Sequence, residues 1–358
     1  MNEQERTNCP ECDALDGVGR RDFLMAVGGT AVTLAGLEMM PGRAIAQAQP
    51  PAKPAARTEK PAEALIKELH QGLSDEQKRR VVYDWNHMTT QRGQRIIARK
   101  GMFNDAIFGQ HNIGAVYTAA QQELNQRILR AIASDETGFT KLTRNGTFDQ
   151  SGSFGRCGAY IFGDPSTNGE FAWVFSGHHI TVRCDGNSEP DTGFGGPMYY
   201  GHSPDGSSVR NCFNYQTRAA LSVWDALNQA QRQQATIAMI PVERREDAAS
   251  VQFRREGIPG IAISDLTRDQ RGLVRNVMRE LLSPYRREDA DEVMELVGRN
   301  GGLERIQLGF FRTASTPADK WDFWRLEGPG FVWNFRVLPH VHTFVNIALQ
   351  PAQPAARG

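Results

Sequence analysis

Four histidines in two short motifs carry the chemistry that this sequence suggests. His340 and His342 flank Val341, and His178 and His179 are adjacent. Alternate side chains of a β-strand point to the same face, so His340 and His342 would present their imidazoles side by side. Imidazole nitrogens suit zinc, copper or iron, and three protein ligands with one open position are typical of a catalytic site. The sequence therefore predicts a single bound transition metal ion.

The third ligand would come from the adjacent pair. If His178 and His179 lie on one strand, they point to opposite faces, so only one of them joins the site unless a bulge intervenes. His178 would share its face with Ile180 and Val182, which favours the core, whereas His179 would lie beside Thr181. We therefore favour His179 as the third metal ligand and keep His178 as the alternative.

Glu327 and Arg325 are the candidate catalytic residues. Glu327 follows a predicted strand and precedes Gly328-Pro329, where it could be a fourth ligand or a general base. A structural ion pair with Arg325 is an equally good interpretation. In the catalytic interpretation the metal activates water or oxygen, and Glu327 handles a proton.

A second interpretation assigns no catalysis. The histidines would then be structural, and aromatic side chains would line a cleft in a non-catalytic exported protein that binds a ligand. These side chains are Trp173, Trp321, Trp324, Trp333, Tyr160 and Phe175. The small-molecule substrate or ligand stays unidentified in both interpretations. The sequence contains no nucleophile elbow, no H-E-x-x-H and no P-loop lysine, and it indicates no organic cofactor.

The amino-terminal segment resembles a twin-arginine export signal. Arg20-Arg21 precedes an apolar stretch, Leu24 to Leu37, which is shorter than the ~20 residues that span a bilayer. Small residues at Ala44-Ile45-Ala46 predict cleavage after Ala46, with Ala48 as the alternative. We therefore expect a signal peptide at 1–46, a periplasmic or secreted product, the twin-arginine translocation machinery as a partner and no stable membrane anchor after cleavage.

The remaining composition bounds the organisation and the partners. The 41 Lys and Arg residues balance 41 Asp and Glu residues, so no overall charge favours nucleic acid. Residues 47–60 are rich in Pro and Ala and predict a mobile linker, a folded domain follows at 61–349, and residues 350–358 are expected to form a flexible tail.

Five cysteines divide by position. Cys9 and Cys12 would be removed with the signal peptide. Cys157, Cys184 and Cys212 remain, and an oxidising compartment allows one disulfide with one free thiol. Three buried, inert thiols are the alternative.

Helical and strand patterns indicate the architecture. The capping box at Ser74 predicts a helix that extends to about Met88. Further predicted helices cover Val116 to Ala133, Ala219 to Ile237, Thr267 to Leu282 and Asp289 to Val297. Strands concentrate in two blocks, at 157–184 and 306–347, with short turns between neighbours. We therefore predict an α+β fold with a largely antiparallel sheet, built from two strand-rich blocks with intervening helices.

Several short motifs, taken together and in order, resemble domain-of-unknown-function family 3500, which occurs in exported bacterial proteins and in fungi. The motifs are Phe162-Gly163-Asp164-Pro165-Ser166, Gly177-His178-His179, Phe194-Gly195-Gly196-Pro197, Arg325-Leu326-Glu327-Gly328-Pro329 and His340-Val341-His342. The resemblance covers about Asp75 to Leu349 and implies no established reaction. The chain departs from the family pattern in having Trp333-Asn334-Phe335 where the family has an acidic residue within an apolar strand. It also has Thr343-Phe344-Val345-Asn346 in place of the Arg-Asp-Pro that follows the final histidine.

Overall fold

The computed structural model describes residues 59–91, 93–167, 169–238, 252–254, 256–318 and 320–350. The predicted signal peptide, most of the predicted linker and the tail beyond residue 350 lie outside these ranges, as do Cys9 and Cys12. No helix in the described ranges is both long enough and apolar enough to span a membrane.

The helices include all five predicted segments, two of them with clearly different bounds, and three helices that the sequence did not predict. They are α1 Pro61–Gln71, α2 Asp75–Val81, α3 Ile113–Val116, α4 Ala119–Ile132, α5 Glu136–Thr143, α6 Asn214–Ala226, α7 Gln229–Ala235, α8 Arg268–Leu282 and α9 Arg287–Arg299. The Ser74 capping box is present, but α2 ends at Val81 because Val82 adopts an extended backbone. The predicted helix from Ala219 to Ile237 is two helices, because Leu227 is extended and Asn228 caps the second one.

Eleven of the strands form one large sheet. The strands are β1 Val82–Tyr83, β2 Met88–Gln91, β3 Gln94–Ile97, β4 Gly158–Gly163, β5 Phe171–Gly177, β6 Ile180–Cys184, β7 Met198–His202, β8 Thr236–Ile237, β9 Ile261–Ala262, β10 Gln307–Phe311, β11 Phe323–Gly328, β12 Phe331–Arg336 and β13 Val341–Ile347. The sheet order is β1-β4-β5-β6-β7-β13-β12-β11-β10-β8, with β9 on β10, while β2 and β3 form a separate hairpin. Only the β1–β4 and β8–β10 pairs of the described strands are parallel. The predicted α+β class and largely antiparallel sheet are confirmed.

The two strand-rich blocks join where β7 pairs with β13. In this pairing Val341 lies opposite His202, and His342 lies opposite Gly201. On its other edge β7 pairs with β6, where Ile180 lies opposite Tyr200. The turn that contains His178 and His179 is thereby brought to the start of β13, although the two segments are far apart in the sequence.

The two faces of the sheet differ in polarity. Apolar side chains of β10 to β12, including Phe310, Trp324 and Trp333, pack against helices α6 and α8. Polar side chains lie on the opposite face. There the Arg183 guanidinium donates to the carbonyls of Arg99 and Gly101, at 3.0 and 2.7 Å. The histidine site lies within this polar, covered layer.

The aromatic cleft expected in the non-catalytic interpretation is not formed, and that prediction is wrong. The six aromatic side chains proposed for it are all buried, with Trp321 the most exposed at 7%. Trp173 donates its indole N–H to Asn125 of α4, so it anchors a helix to the sheet. All six therefore belong to the core, as buried aromatic side chains of a sheet commonly do.

The cysteines of the described residues are free thiols. Cys157 is buried, and Cys184 and Cys212 are partly buried. Burial raises the pKa of both Cys157 and Cys212 to about 12, so these thiols are protonated and poorly nucleophilic at neutral pH. Of the two alternatives, the inert thiols match the structure.

Candidate metal centre

His178 and His179 form a tight turn between two strands. Strand β5 ends at Gly177 and β6 begins at Ile180, so the strand alternation that we expected for the histidine pair is wrong. His179 has a left-handed backbone with φ of 59°. Its amide donates to the Asn104 side chain at 2.8 Å, and the carbonyl of His178 accepts from the Arg144 guanidinium at 2.7 Å. These bonds fix the turn and the direction of both imidazoles.

Three imidazoles converge on one point. His340 directly precedes β13, and His342 is its second residue. The Nε2 atom of His340 lies 3.1 Å from that of His179 and 2.9 Å from that of His342. All three side chains are buried, with relative exposures of 1% or less. The structure thus brings His340 and His342 together with His179, and these three residues could hold a metal ion.

His178 lies beside this cluster. Its ring centroid is 3.8 Å from that of His179, and its Nδ1 accepts from the amide of Gln150 at 3.3 Å. Its Nε2 is buried and has no hydrogen-bond partner among the described residues. Together with Asp149 and His179 it forms a second, overlapping group of metal-ligand type. The turn thus supplies one imidazole to the main cluster and places the other next to it.

Asp149 determines which nitrogen of His179 carries the proton. Its Oδ2 lies 2.7 Å from His179 Nδ1. Burial alone would raise the pKa of Asp149, but hydrogen bonds from His179 and His202 and the charge of Arg144 outweigh it and hold this pKa well below its usual range. An ionised carboxylate only accepts hydrogen bonds, so Nδ1 of His179 must carry the proton. The Nε2 of neutral His179 is left with its lone pair directed into the cluster.

Arg336 makes Nε2 of His340 a hydrogen-bond acceptor, as Asp149 does indirectly for Nε2 of His179. Its Nη2 lies 2.8 Å from His340 Nε2, and its Nε donates to the His340 carbonyl at 3.2 Å. Arginine is always a donor, so His340 Nε2 must accept. Two acceptor nitrogens, Nε2 of His179 and Nε2 of His340, therefore lie 3.1 Å apart.

The histidines are held in the neutral state. Burial is the main cause, lowering the pKa of His178 to about 3, of His179 to about 4 and of His340 to about 2. The pKa of His342 is also lowered well below its ordinary value, by burial and then by the Arg336 charge. Neutral imidazoles are the form that binds metals, so these groups are ready for an ion at neutral pH.

A strained loop positions Asp149. Four non-glycine residues of the segment from Arg144 to Asp149 have left-handed backbones: Arg144, Asn145, Phe148 and Asp149. Such conformations are unfavourable and often occur at functional sites. From this loop Asp149 also reaches the Nδ1 of His202 at 2.8 Å through its other oxygen. One carboxylate thus orients a buried imidazole and a partly exposed one.

Gly201 makes room for the cluster. A Cβ atom at this position would lie 2.3 Å from the Val341 carbonyl, 3.1 Å from the His342 ring and 3.4 Å from the His179 ring. The amide of Gly201 donates to the carbonyl of His179 at 3.0 Å. Any larger residue would separate β7 from β13 or displace the two imidazoles.

The site contains residues that sequence reasoning missed. Asp149, Arg336, Gly201 and His202 lie outside the two histidine motifs, and no spacing rule connects Asp149 to His179, 30 residues away. Arg336 could have been found, since it lies four residues before His340. Gly201 and His202 become neighbours of the histidines only through the pairing of β7 with β13.

Glu327 and Arg325 lie elsewhere on the sheet. Glu327 is opposite Val332, which is opposite Asn346, whereas His342 lies four residues earlier on β13. Two strand spacings and four residues separate Glu327 from His342 by roughly 15 Å or more. The structure therefore does not place Glu327 as a fourth ligand.

The carboxylate of Glu327 instead forms ion pairs with two arginines. It accepts two hydrogen bonds from Arg254, at 2.7 and 2.6 Å, and its Oε2 lies 2.7 Å from Arg325 Nε. Glu327 and Arg325 are both buried, at 0% and 3% exposure. This arrangement matches the structural ion pair that was the alternative for these two residues.

Comparison with known proteins gives a family and no function. Residues 53–348 match a family whose description is "Protein of unknown function (DUF3500)". No curated protein and no solved structure matches the chain.

Proposed function

The chain belongs to the DUF3500 family, and we propose that in this member His179, His340 and His342 bind one transition metal ion that activates water or oxygen. Zinc, copper and iron all suit a site of imidazole nitrogens. Three protein ligands leave a coordination position for a reacting molecule, which is the arrangement of catalytic rather than structural sites.

The contact between His179 and His340 carries this proposal. The two Nε2 atoms, 3.1 Å apart, are both acceptors, because Asp149 fixes the proton of His179 on Nδ1 and Arg336 donates to His340. A cation bound by both nitrogens would relieve the repulsion between these two acceptors. Nitrogens that share a tetrahedral zinc lie about 3.3 Å apart for bonds of about 2.0 Å, close to the spacing in the cluster.

The surroundings of the cluster support a tuned metal site. A carboxylate that accepts from the second nitrogen of a metal-binding histidine fixes its orientation and raises its basicity. Asp149 has this relation to His179. The same carboxylate holds His202, whose side chain is 24% exposed, so in our proposal His202 takes the proton-handling role expected of Glu327.

The burial of the cluster limits the size of what it activates. The three imidazoles are at most 1% exposed. Water, dioxygen and small ions fit this description better than a polymer does. The proposed substrate chemistry is therefore confined to small molecules.

Export is part of the proposal. The twin-arginine motif at Arg20-Arg21 supports transfer to the periplasm or the exterior by the twin-arginine machinery. Replacing both arginines by lysine is expected to keep the uncleaved protein in the cytoplasm. Amino-terminal sequencing of the exported protein tests cleavage after residue 46, and an intact amino terminus would contradict it.

Elemental analysis of the exported protein tests the metal proposal. We expect about one zinc, copper or iron per chain in the native protein, and a large loss in the double variant His340→Ala with His342→Ala. His111→Ala is the matched control, because His111 lies in a different segment and contacts Tyr83. A folded, native protein without metal would refute the metal site and would favour structural histidines.

A further inference from the structure

Arg336 is a buried cation that faces the histidine cluster. Its side chain is 3% exposed, and its hydrogen bonds go to the carbonyl and to Nε2 of His340. Among the residues that the structure describes, no carboxylate lies within ion-pair distance of Arg336. Burying a charge is costly unless an opposite charge compensates it.

The charges of the described residues favour a negative group beside Arg336. Of these residues, Asp149 is the carboxylate that contacts the cluster, through His179. Its carboxylate is already matched by Arg144, whose Nε lies 3.4 Å from Oδ2. A divalent ion at His179, His340 and His342 would add two positive charges next to the positive charge of Arg336. An anion at the open coordination position would offset this excess.

We propose that the ligand activated at this centre is a small anion that binds the metal through oxygen and accepts a hydrogen bond from Arg336. This inference rests on the proposed metal site. If His340 Nε2 bound a metal ion, Arg336 Nη2 would lose this acceptor and would be available to donate to a ligand beside His340. Guanidinium groups bind carboxylates and oxyanions well because their donors match these geometries.

The ligand chemistry is that of a carboxylate or an inorganic oxyanion. The burial of the three imidazoles restricts it to small members of these classes. Acetate and inorganic phosphate represent the two sources and serve as probes. Acetate binding alone would assign a carboxylate substrate, and phosphate binding alone would assign an oxyanion.

Calorimetric titration of the zinc-loaded protein with acetate and with phosphate tests the inference. Arg336→Met removes the charge, and Arg336→Lys keeps it. At zinc concentrations that fill the site in every variant, we expect Arg336→Met to bind the preferred anion about 10-fold to 100-fold more weakly, the range for one charge-assisted hydrogen bond. Arg336→Lys is expected to retain most of the anion affinity.

Arg183→Met is the matched control. Arg183 is also buried on the polar layer of the sheet, but it donates to main-chain carbonyls, and within the described part of the chain it has no hydrogen bond to a histidine. Its substitution is expected to leave anion affinity unchanged. Equal anion affinities in Arg336→Met and the native protein, or binding of neither anion to the loaded native protein, would overturn the anion inference while the metal proposal stands. Failure of the native protein to bind zinc or another transition metal would overturn both, and the metal analysis identifies that case.

Discussion

The Nε2 atoms of His179 and His340 lie 3.1 Å apart although 161 residues separate them in the sequence. Each of these atoms is held as an acceptor by its own neighbour, Asp149 through Nδ1 of His179 and Arg336 directly on His340. Two facing acceptors attract a cation. The chemistry that we propose follows from this one contact.

Asp149→Asn is expected to weaken metal binding. The amide cannot accept from His179 and His202 as an ionised carboxylate does, so the orientation and basicity of His179 both decrease. Loss of such a partner typically costs about 10-fold to 100-fold in metal affinity. Competition with a chelator measures the affinity. The control is Asp164→Asn in an exposed turn, where the carboxylate accepts from Ser166, and an unchanged affinity in Asp149→Asn would contradict the role of Asp149.

The metal-free protein is expected to lose stability as the pH falls below 6.5. The folded-state pKa values of His178, His179 and His340 are about 3, 4 and 2, all below the ordinary value of 6.5. Between pH 6.5 and these folded-state pKa values, the unfolded chain binds protons that the folded chain does not. The free energy of unfolding is therefore highest above pH 6.5 and decreases toward pH 4. Each such histidine contributes a slope of up to about 1.4 kcal/mol per pH unit.

Urea unfolding of the metal-free protein between pH 8 and pH 5 measures this slope. Carboxylates titrate mostly below this interval, so the histidines dominate it. The double variant His340→Ala with His342→Ala is expected to show a shallower dependence. A free energy of unfolding that stays constant from pH 7 to pH 5 would show that the imidazoles are not held neutral.

Gly201→Ala is expected to disrupt both the sheet and the metal site. The new Cβ would lie 2.3 Å from the Val341 carbonyl, so β7 and β13 must separate. Such overpacking typically costs about 1 to 3 kcal/mol of stability, and the displaced imidazoles would bind metal more weakly. Thermal unfolding and metal titration measure the two effects.

Gly298→Ala is the matched control for this substitution. Gly298 lies in helix α9, and a Cβ there would meet no atom within 4 Å. It is expected to stabilise the protein by about 0.5 to 1 kcal/mol, since alanine favours the helix. If both glycine variants behaved alike, the close approach at Gly201 would not be the cause.

Glu327→Gln is expected to destabilise the protein without changing its metal content. The substitution removes the buried negative charge that pairs with Arg325 and Arg254. Breaking a buried pair in this way typically costs about 3 to 5 kcal/mol. Elemental analysis and denaturant unfolding of the variant separate the two properties. Loss of the metal from a folded Glu327→Gln protein would restore Glu327 as a ligand.

The sequence predicted the fold class because its strand and helix patterns are local. The capping box at Ser74 and the period of α8 depend only on neighbouring residues. It also predicted that His340 and His342 act together, because two residues of spacing on extended backbone suffice. The strand assignment of His178 and His179 failed because a two-residue turn with a left-handed His179 has no clear signal in its composition.

The rest of the site depends on contacts between distant segments. Asp149, His202 and Gly201 join the histidines through the β7–β13 pairing and a strained loop, and no local pattern encodes either feature. Glu327 was favoured because it was expected to follow a strand. The register instead places it within β11, at the end of that strand away from the histidine cluster and beside Arg254. Charge compensation within the sheet explains its burial better than catalysis does.

X-ray absorption spectroscopy of the metal-loaded exported protein tests the central claim most directly. We predict a first shell with three imidazole nitrogens at about 2.0 to 2.1 Å if the metal is zinc, and one further light-atom ligand. The imidazole scattering should fall when His179 is replaced by alanine. A first shell without imidazole, or one that is the same in the native protein and in His179→Ala, would contradict the convergence of His179, His340 and His342 on one ion.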